Sequence, residues 1–515
     1  MRGAEPAILG RMVLLRTTFA CVLLLALAGC GDDDGAPDGA MDRPDGGGAD
    51  AGPVLDDGGG VDGGPGVDGG PGLDGGGSED GGAPMPGAVC AERTAAIVDA
   101  TGATIRVRPA GDGQVEVDGE TRTLRQVVSG AAEGTTILLE DGTYTLPEAS
   151  GGSYTGLYFT TPNVTLRSAS GDASAVVIDS AYRSHGGSTA PITVDAPGVV
   201  LASFTVRRSI FHLIHLWKDA DGVVIHDVDL IDGGQQFLKS SPGDGLNVDD
   251  VEVSCSRFRM TDAGRDNVWG YGSPDGNTTC YTGGIDTHDA RDWHVHDSVF
   301  EGIYCDADGT PRPAHGQAAD QRGGMTYTGG LAEHAIHMWD SEEGSGHRIE
   351  RNHIVDCARG IGLGLRAEVY GTTIRNNMVF SRFPRSGEHD VGIIVERAHE
   401  SAVVNNTVFF ASPDAYPNAI EYRWGSTSGL RVLNNLTNGR IRARNDATAT
   451  LGGNVEAAEA SWFVDGAEGD LHLARCDIAE VDGAGESVAG LDDDFDGEAR
   501  EGAIDVGADQ CTSAR

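Results

Sequence analysis

The sequence predicts an all-β fold, a single-stranded parallel β-helix of roughly ten coils wound as a solenoid. Three observations predict it. Segments that alternate apolar and polar residues and end in Asp or Asn recur along the chain, as in VVIHDVDL, TIRNNMVF and VVNNTVFF. Asn377, Asn406 and Asn435 follow one another at intervals of 29 residues, and Asn352 precedes the first of them by 25. The residues between these segments show no helical periodicity, and the interval is too long for an array of hairpins.

Each repeat is expected to contribute three short strands, and equivalent strands would stack about 4.8 Å apart. Apolar residues would then fill the interior. The four asparagines would form a stacked ladder at one turn, where Asn tolerates left-handed backbone. A β-sandwich would instead need Gly or Pro turns every eight to twelve residues, and the sequence does not show them.

The N-terminal region has the features of an exported, tethered protein. Residues 1–29 carry arginines followed by an apolar run, which is typical of a signal peptide. The segment LAGC resembles a bacterial lipobox, so Cys30 is the expected lipidation site. Residues 30–88 are rich in Gly, Asp and Pro, which predicts a flexible linker. We therefore expect a membrane-anchored lipoprotein that faces the periplasm or the cell surface, with residues 89–515 forming the β-helix.

Seven cysteines remain beyond the signal segment and Cys30, an odd number for an oxidising compartment. The expected disulfides are Cys255–Cys280, Cys305–Cys357 and Cys476–Cys511. This arrangement leaves Cys90 unpaired. No cysteine cluster has the spacing of a zinc site.

The two ends of the predicted solenoid carry a resemblance to a known family. The segment TRTLRQVVSGAAEGTTILLEDGTYTL reads as a short amphipathic helix, a turn and an apolar strand. It resembles the start of right-handed β-helix proteins of the pectate-lyase-like superfamily, in which such a helix caps the N-terminus. The segment LDDDFDGEAREGAIDVGADQ is similar to the end of many exported bacterial β-helix proteins. Asp492, Asp494 and Asp496 begin like a calcium loop, but Ala503 stands where the bidentate Glu is needed, so we predict a turn.

Ionisable and aromatic residues follow the first strand of successive coils on its outward face. A first outward column is predicted to contain His215, Lys239, Asp286, His337, Gly362 and Glu421. A second is predicted to contain Trp217, His288, Trp339, Gly364, Glu396 and Arg423. Such a face is a groove for a chain-like ligand, because neighbouring coils repeat on about the scale of a sugar unit. Insertions at 265–281 and 304–333 would form its walls, while His294 and His296 lie on another strand and are expected at the surface.

The segments QQFLKSSPG and GGIDTHDARDWHVHDSVF resemble polysaccharide lyases of the chondroitinase B and alginate lyase kind. The resemblance implies that Lys239 is the base that removes a proton beside a uronate carboxylate, and that calcium is the cofactor that neutralises this carboxylate. Asp286, His288 and His337 complete the catalytic candidates. This chain has Thr287, His288 and Asp289 where the family has an Arg-His-Gly stretch, and it offers only Asp232 where acidic calcium ligands are expected.

Two other functions fit the same groove. A glycoside hydrolase would use carboxylates, with Asp286, Glu396 and Glu421 as candidates for the acid and base. A non-catalytic glycan-binding or structural surface protein would need only the aromatic and charged residues. The expected partner is a polysaccharide in every case, and a cationic patch of Lys239, Arg366, Arg397 and Arg423 would favour an acidic one. The formal net charge of −42 and the lack of basic segments exclude a nucleic-acid partner, and a monomer is favoured.

Overall fold

The computed structural model describes residue 90 and residues 101–111, 113–150, 153–186, 190–265, 268, 270–272, 278–305, 331–365, 367–385 and 389–511. The signal segment 1–29 and the whole linker 30–88, which includes Cys30, lie outside these residues. Arg366, residues 306–330 and parts of 265–281 also lie outside them, so the predicted groove walls are largely undescribed. In the described part of the chain, no helix is long and apolar enough to cross a membrane.

The described chain is nearly all β and consists mainly of parallel strands in three ladders, as expected for a β-helix. The chain visits the three ladders in turn. The long strands β10 (Val200–Ser209) and β12 (Val224–Gly233) belong to both of the first two ladders. These ladders therefore form one 22-stranded sheet together with β2 (Gln114–Val117) and β3 (Glu120–Thr123).

The first ladder contains β1 (Thr104–Gly111), β4 (Thr136–Leu139), β7 (Thr165–Ser168), β10 (Val200–Ser209), β12 (Val224–Gly233), β15 (Glu252–Ser254), β21 (His294–His296), β24 (Arg348–Glu350), β28 (Thr373–Arg375), β32 (Ala402–Val404), β35 (Arg431–Leu433) and β38 (Thr450–Gly452). The second ladder adds β5 (Gly142–Thr145), β8 (Val176–Asp179), β16 (Arg257–Arg259), β22 (Val299–Glu301), β25 (His353–Val355), β29 (Met378–Ser381), β33 (Thr407–Phe410) and β36 (Leu436–Thr437). The third ladder is a separate ten-stranded sheet of β6 (Leu157–Phe159), β9 (Ile192–Val194), β11 (Ile214–Trp217), β13 (Leu238–Ser241), β19 (Ile285–Thr287), β23 (His334–Met338), β26 (Arg359–Leu363), β30 (Ile393–Glu396), β34 (Asn418–Arg423) and β37 (Arg440–Arg444).

Short elements complete the fold. The remaining strands are β2 (Gln114–Val117), β3 (Glu120–Thr123), β14 (Val248–Asp249), β17 (Gly270–Gly272), β18 (Thr278–Cys280), β20 (Ala290–Arg291), β27 (Val369–Tyr370), β31 (Ala398–His399), β39 (Phe463–Asp465) and β40 (Asp470–Leu473). The helices are Leu124–Ser129, Asp262–Arg265 and the 3-10 turn Ala460–Trp462. The predicted helix near the N-terminus is thus present, and Thr123 and Gln126 form a capping box at its start.

The interior follows from the alternation of apolar and polar residues. Ile214, Leu238, Ile285, Ile336 and Ile361 occupy one register position of five successive strands in the ten-stranded sheet, and all are fully buried. Because successive side chains of a strand point to opposite faces, their neighbours in sequence face outward. This is the property that places the candidate site on the outside of the ten-stranded sheet.

The asparagine ladder is confirmed and continues for one residue more than predicted. The side-chain amides of Asn352, Asn377, Asn406 and Asn435 each donate to the next Asn side chain at 3.0 Å, and Asn454 accepts the last of these hydrogen bonds. The prediction that these residues take the left-handed backbone is wrong. That conformation belongs to the residue before each of them, as in Asn376, Asn405 and Asn434 with φ of 53°, 51° and 55°. In each NN pair, the first asparagine therefore adopts the left-handed backbone and the second forms the ladder.

Two of the three predicted disulfides are wrong. The structure pairs Cys90 with Cys255 and Cys280 with Cys305, so Cys90 is bonded and Cys357 is a buried free thiol. Cys476–Cys511 is confirmed. Cys280 and Cys305 lie at the edges of inserted segments, so the repeat of the coils does not determine which cysteine each one meets.

The C-terminal region packs against the second ladder, where Phe463 makes an edge-to-face contact with Phe409. The predicted turn at Asp494 is present. Its carboxylate accepts hydrogen bonds from the backbone N–H groups of Asp496, Glu498 and Gln510.

His294 and His296 lie on β21, a different strand from the candidate site, as predicted. Their expected position at the surface is wrong. His296 is fully buried, and its Nδ1 contacts Asp297 Oδ2 at 2.5 Å. His294 is mostly buried and contacts Glu350 at 2.7 Å. Both therefore belong to a structural ion network.

Candidate functional site

The predicted first outward column is present in the ten-stranded sheet. His215 pairs in register with Lys239, Lys239 with Asp286, and Asp286 with His337. The column continues through Gly362 and Ile394 to Glu421. Residues that are more than two hundred positions apart in sequence thus share one face of the sheet.

Asp286 is the centre of this cluster. Its Oδ2 lies 2.5 Å from Lys239 Nζ, and its Oδ1 accepts a hydrogen bond from the indole Nε1 of Trp339. His288 Nε2 lies 3.5 Å from Oδ2, and His337 Nδ1 lies 3.8 Å from Oδ1. Four catalytic candidates and one predicted binding residue therefore meet at a single carboxylate.

The ion pair at the centre is buried. Lys239 is 2% exposed and Asp286 is 5% exposed. Burial by itself raises the pKa of Asp286, but the charge of Lys239 and the contact with His288 outweigh it and hold this pKa well below its usual range. Asp286 is consequently a carboxylate, and the contact stabilises the ammonium form of Lys239.

Aromatic rings surround the pair and remain partly accessible. The rings of His288 and Trp339 are stacked, with centroids 5.2 Å apart and planes at 23°. The rings of His337 and Trp339 are also in contact, with centroids 4.5 Å apart. His215 contacts Trp217 edge to face at 5.3 Å, and its Nε2 lies 3.0 Å from Ser241 Oγ. Trp217, His215, His288 and Trp339 are half-buried, so they form the accessible part of the cluster.

Of the remaining predicted binding residues, three lie on other strands of the sheet and Arg397 directly follows one of them. Glu396 and Glu421 are buried and ion-paired, with Arg423 at 2.8 Å and Arg444 at 2.9 Å respectively. They lie three and four strands from Asp286, hence about 14 and 19 Å away at the usual strand spacing. The guanidinium groups of Arg397 and Arg423 lie over the ring of Trp424 at 5.4 and 5.1 Å. The structure does not describe Arg366.

Two functional groups near the cluster were not predicted from the sequence. Asp340 follows Trp339 directly, and its carboxylate accepts a hydrogen bond from the Asp289 backbone N–H at 2.5 Å. Burial, together with the neighbouring Asp289 carboxyl group, raises the pKa of Asp340 to about 7. Glu333 and His334 precede His337 and have potential metal-ligand atoms within 4.8 Å of one another and of His337. The spacing E-H-x-x-H was the available signal, but on a strand it does not ordinarily place both histidines together.

The residues present do not fit the calcium that the lyase resemblance implies. Asp232, the only acid that the sequence offers in the expected segment, is buried. Its carboxylate accepts hydrogen bonds from the backbone N–H and the hydroxyl group of Thr261 at 2.7 and 2.9 Å. Among the described residues, the groups able to hold a metal are Glu333, His334 and His337, and Asp494, Asp496 and Asp509. Calcium at the lyase position would need oxygen ligands beside Lys239. The first group contains two histidine nitrogens, and the second lies near the C-terminus rather than beside Lys239.

Comparison with known proteins gives only distant structural similarities. No protein-family model and no curated protein sequence matches the chain. Among solved structures, pectate lyase Pel9A is similar with a TM-score of 0.43 and 13% identity, over 79% of this chain and 96% of that one. A rhamnogalacturonan lyase has a TM-score of 0.34 and 12% identity, over 71% and 91% of the two chains. The surface adhesin PfbA of Streptococcus pneumoniae has a TM-score of 0.29 and 9% identity, over 62% and 79%. At these values the likeness carries no argument about fold or activity.

Proposed function

We propose that the protein binds a polysaccharide chain on the outer face of the ten-stranded sheet. The main support is that the half-buried rings of His288 and Trp339 lie at the buried Lys239–Asp286 pair, and that the half-buried ring of Trp217 contacts His215 of the same column. Flat aromatic rings next to fixed hydrogen-bonding groups suit sugars, which have both apolar faces and hydroxyl groups.

The spacing of the rings also supports a chain-like ligand. Trp217 lies on β11 and Trp339 follows β23, three strands further along the sheet. The strand spacing places them about 14 Å apart along the solenoid axis, a distance that a single sugar does not cover. An oligosaccharide that lies along the axis would contact both rings.

The test is the affinity of the purified chain for uronate and neutral polysaccharides, measured by calorimetry. Trp339→Ala should weaken binding at least about tenfold, because ring stacking and the contact to His288 are lost. Tyr370→Ala is the matched control, since Tyr370 also stacks on a histidine, His399, at 4.7 Å but lies outside the ten-stranded sheet. Equal affinities of the two variants would refute the proposed surface.

A second candidate function is cleavage of uronate glycans by β-elimination at the same site. His288 is the group best suited to act as base, because its side chain is 26% exposed and its Nε2 lies 3.5 Å from the Asp286 carboxylate. Lys239 is less suited, since a base must lose its proton and this ammonium group is buried against a carboxylate. A hydrolase that pairs Asp286 with Glu396 or Glu421 is disfavoured, because the separations exceed the roughly 5–9.5 Å of glycosidase carboxyl pairs.

New ultraviolet absorbance from an unsaturated product measures the elimination, and new reducing ends without absorbance measure hydrolysis. If elimination occurs, His288→Ala should abolish the absorbance even at saturating glycan, where its weaker binding no longer limits the rate, because a base acts in the transition state. Full activity of His288→Ala together with loss in Lys239→Ala would restore Lys239 as the base. Binding without any cleavage of the tested glycans would leave the surface as a binding site alone.

We further propose that the protein is exported and anchored to a membrane through a lipid on Cys30. The support is the lipobox-like segment LAGC and the Gly/Asp-rich stretch after it, which has no apolar surface of its own. Cys30→Ser should release the chain from membranes into the soluble fraction. Unchanged membrane retention of this variant would contradict the anchor.

A further inference from the structure

A cluster of metal-ligating side chains lies beside the Asp286 cluster and shares His337 with it. Glu333, His334 and His337 each offer a ligand atom, and these atoms lie within 4.8 Å of one another. We propose that these three residues bind a divalent transition metal ion, with zinc as the ion that best suits the donors. Two imidazoles and one carboxylate form a known zinc donor set, and three protein ligands leave one coordination position for a small ligand.

The second observation is an unpartnered nitrogen in His334. This residue is 7% exposed, and within the described part of the chain its Nδ1 has no hydrogen-bond partner. A buried polar atom left in this way costs about 1–3 kcal/mol, so such atoms call for an explanation. The rings of His334 and His337 are in contact, with centroids 4.5 Å apart. A metal ion bound between the two residues would satisfy the buried imidazole.

The backbone provides room for this ring. His334 lies against Gly362 on the next strand, where a Cβ atom would come within 2.7 Å of the His334 ring. Any residue larger than glycine would displace the imidazole from its place beside His337. The position Gly362 is in the first outward column, so the glycine is what allows the metal cluster to form on this face.

The hydrogen bond of His337 prepares it as a ligand. Its Nε2 lies 3.0 Å from the carbonyl oxygen of Gly364, and a carbonyl only accepts, so the proton is on Nε2. Nδ1 of the neutral ring then carries a lone pair. Ligating histidines commonly donate their other N–H to a backbone carbonyl in this way, which fixes the tautomer. A cation near Nδ1 of His337 would also offset the negative charge of Asp286, whose Oδ1 lies 3.8 Å from that nitrogen.

Arg359 would compete with the metal ion for the Glu333 carboxylate. Its Nη1 lies 3.8 Å from Glu333 Oε2, and its Nε lies 3.7 Å from Asp390 Oδ2. Neither distance is that of a tight hydrogen bond. Glu333 is half-buried and directly precedes β23, and in the proposed site its carboxylate exchanges the guanidinium group for the metal ion.

The test uses the full chain stripped of metal and titrated with zinc in a calorimeter, and with cobalt followed by visible absorbance. We expect one tight site per chain for zinc and a cobalt spectrum of a site with nitrogen and oxygen ligands. Glu333→Gln should weaken zinc binding at least about tenfold, and His334→Gln should abolish the tight site. Glu333→Gln keeps shape and half-exposure, so it remains informative if His334→Gln does not fold.

Two controls separate this site from others. His389→Gln should leave zinc affinity unchanged, because His389 is also buried with an unpartnered Nδ1 but belongs to no such cluster among the described residues. Asp496→Asn should likewise have no effect, although Asp496 belongs to the acidic group near the C-terminus. Absence of tight zinc binding by the wild-type chain, or equal affinity of Glu333→Gln, would overturn the proposal. Because zinc alone is the probe, these outcomes are independent of whether a polysaccharide binds.

Discussion

The unfolding free energy lost on breaking the Lys239–Asp286 ion pair tests whether a buried ion pair forms the centre of the site. In Asp286→Asn, the Lys239 ammonium group stays in a place that is 2% exposed and loses its carboxylate. An uncompensated buried charge of this kind costs about 3–5 kcal/mol of unfolding free energy. Lys239→Met should cost a similar amount, because it leaves the Asp286 carboxylate buried with only the Trp339 indole and nearby histidines.

The double variant removes both charges, so its cost should be far smaller than the sum of the two single costs. We expect a coupling free energy of at least about 2 kcal/mol from guanidinium chloride unfolding at neutral pH. The control cycle uses Lys218 and Asp244, which also form an ion pair between residues that follow neighbouring strands. These side chains are 23% and 78% exposed, so their coupling should be too small to measure.

A coupling below about 0.5 kcal/mol for Lys239 and Asp286 would refute the buried pair, since independent sites add within that range. The same result would return Lys239 to consideration as a free base. A large coupling in both cycles would mean that surface charge across the whole sheet, rather than this buried contact, determines the stability.

Three further predictions concern the fold and its titrating groups. Asn406→Leu should lower the unfolding free energy by about 3–6 kcal/mol without changing glycan affinity, because buried groups of Asn377 and Asn435 lose their partners; a cost below about 1 kcal/mol would contradict a structural ladder. The pKa of Asp340, about 7 when folded, lies above its usual value, so the folded state binds more protons and stability should fall as pH rises from about 4 to 7. Asp340→Asn should remove that fall, so by pH 8 its unfolding free energy should exceed that of the wild type by no more than about 4 kcal/mol. If stability depended on pH in the same way in both proteins, the prediction for Asp340 would be refuted. Iodoacetamide should label Cys357 only after unfolding, and should label Cys280 and Cys305 only after reduction; labelling of Cys305 in the unreduced, unfolded chain would refute the pairing.

Much of the fold could be predicted because its determinants are repeated in the sequence. The apolar alternation around Ile285 and Ile336 fixed which side chains face outward, and so it brought His215, Lys239, Asp286 and His337 into one column. A shift of one residue in any strand would have reversed its faces. The interval of 29 residues likewise placed Asn377 and Asn406 in the ladder.

What could not be predicted depends on departures from the repeat. The disulfide Cys280–Cys305 joins the edges of inserted segments, whose paths the repeat does not determine. His334 contacts His337 although regular strand geometry separates residues three apart, and the room for its ring comes from Gly362 on another strand. The burial of the Lys239 side chain could not be predicted either, because an outward position in a strand does not show whether neighbouring rings cover it.

Footprinting is the most direct test of whether a polysaccharide lies along the outer face of the ten-stranded sheet. Hydroxyl radicals oxidise accessible rings, and mass spectrometry reads the oxidation of each one with and without a uronate oligosaccharide. We expect protection of Trp217, His288 and Trp339, with Tyr370 and His399 unchanged. Protection of Tyr370 and His399 while Trp217 and Trp339 stay equally reactive would contradict it.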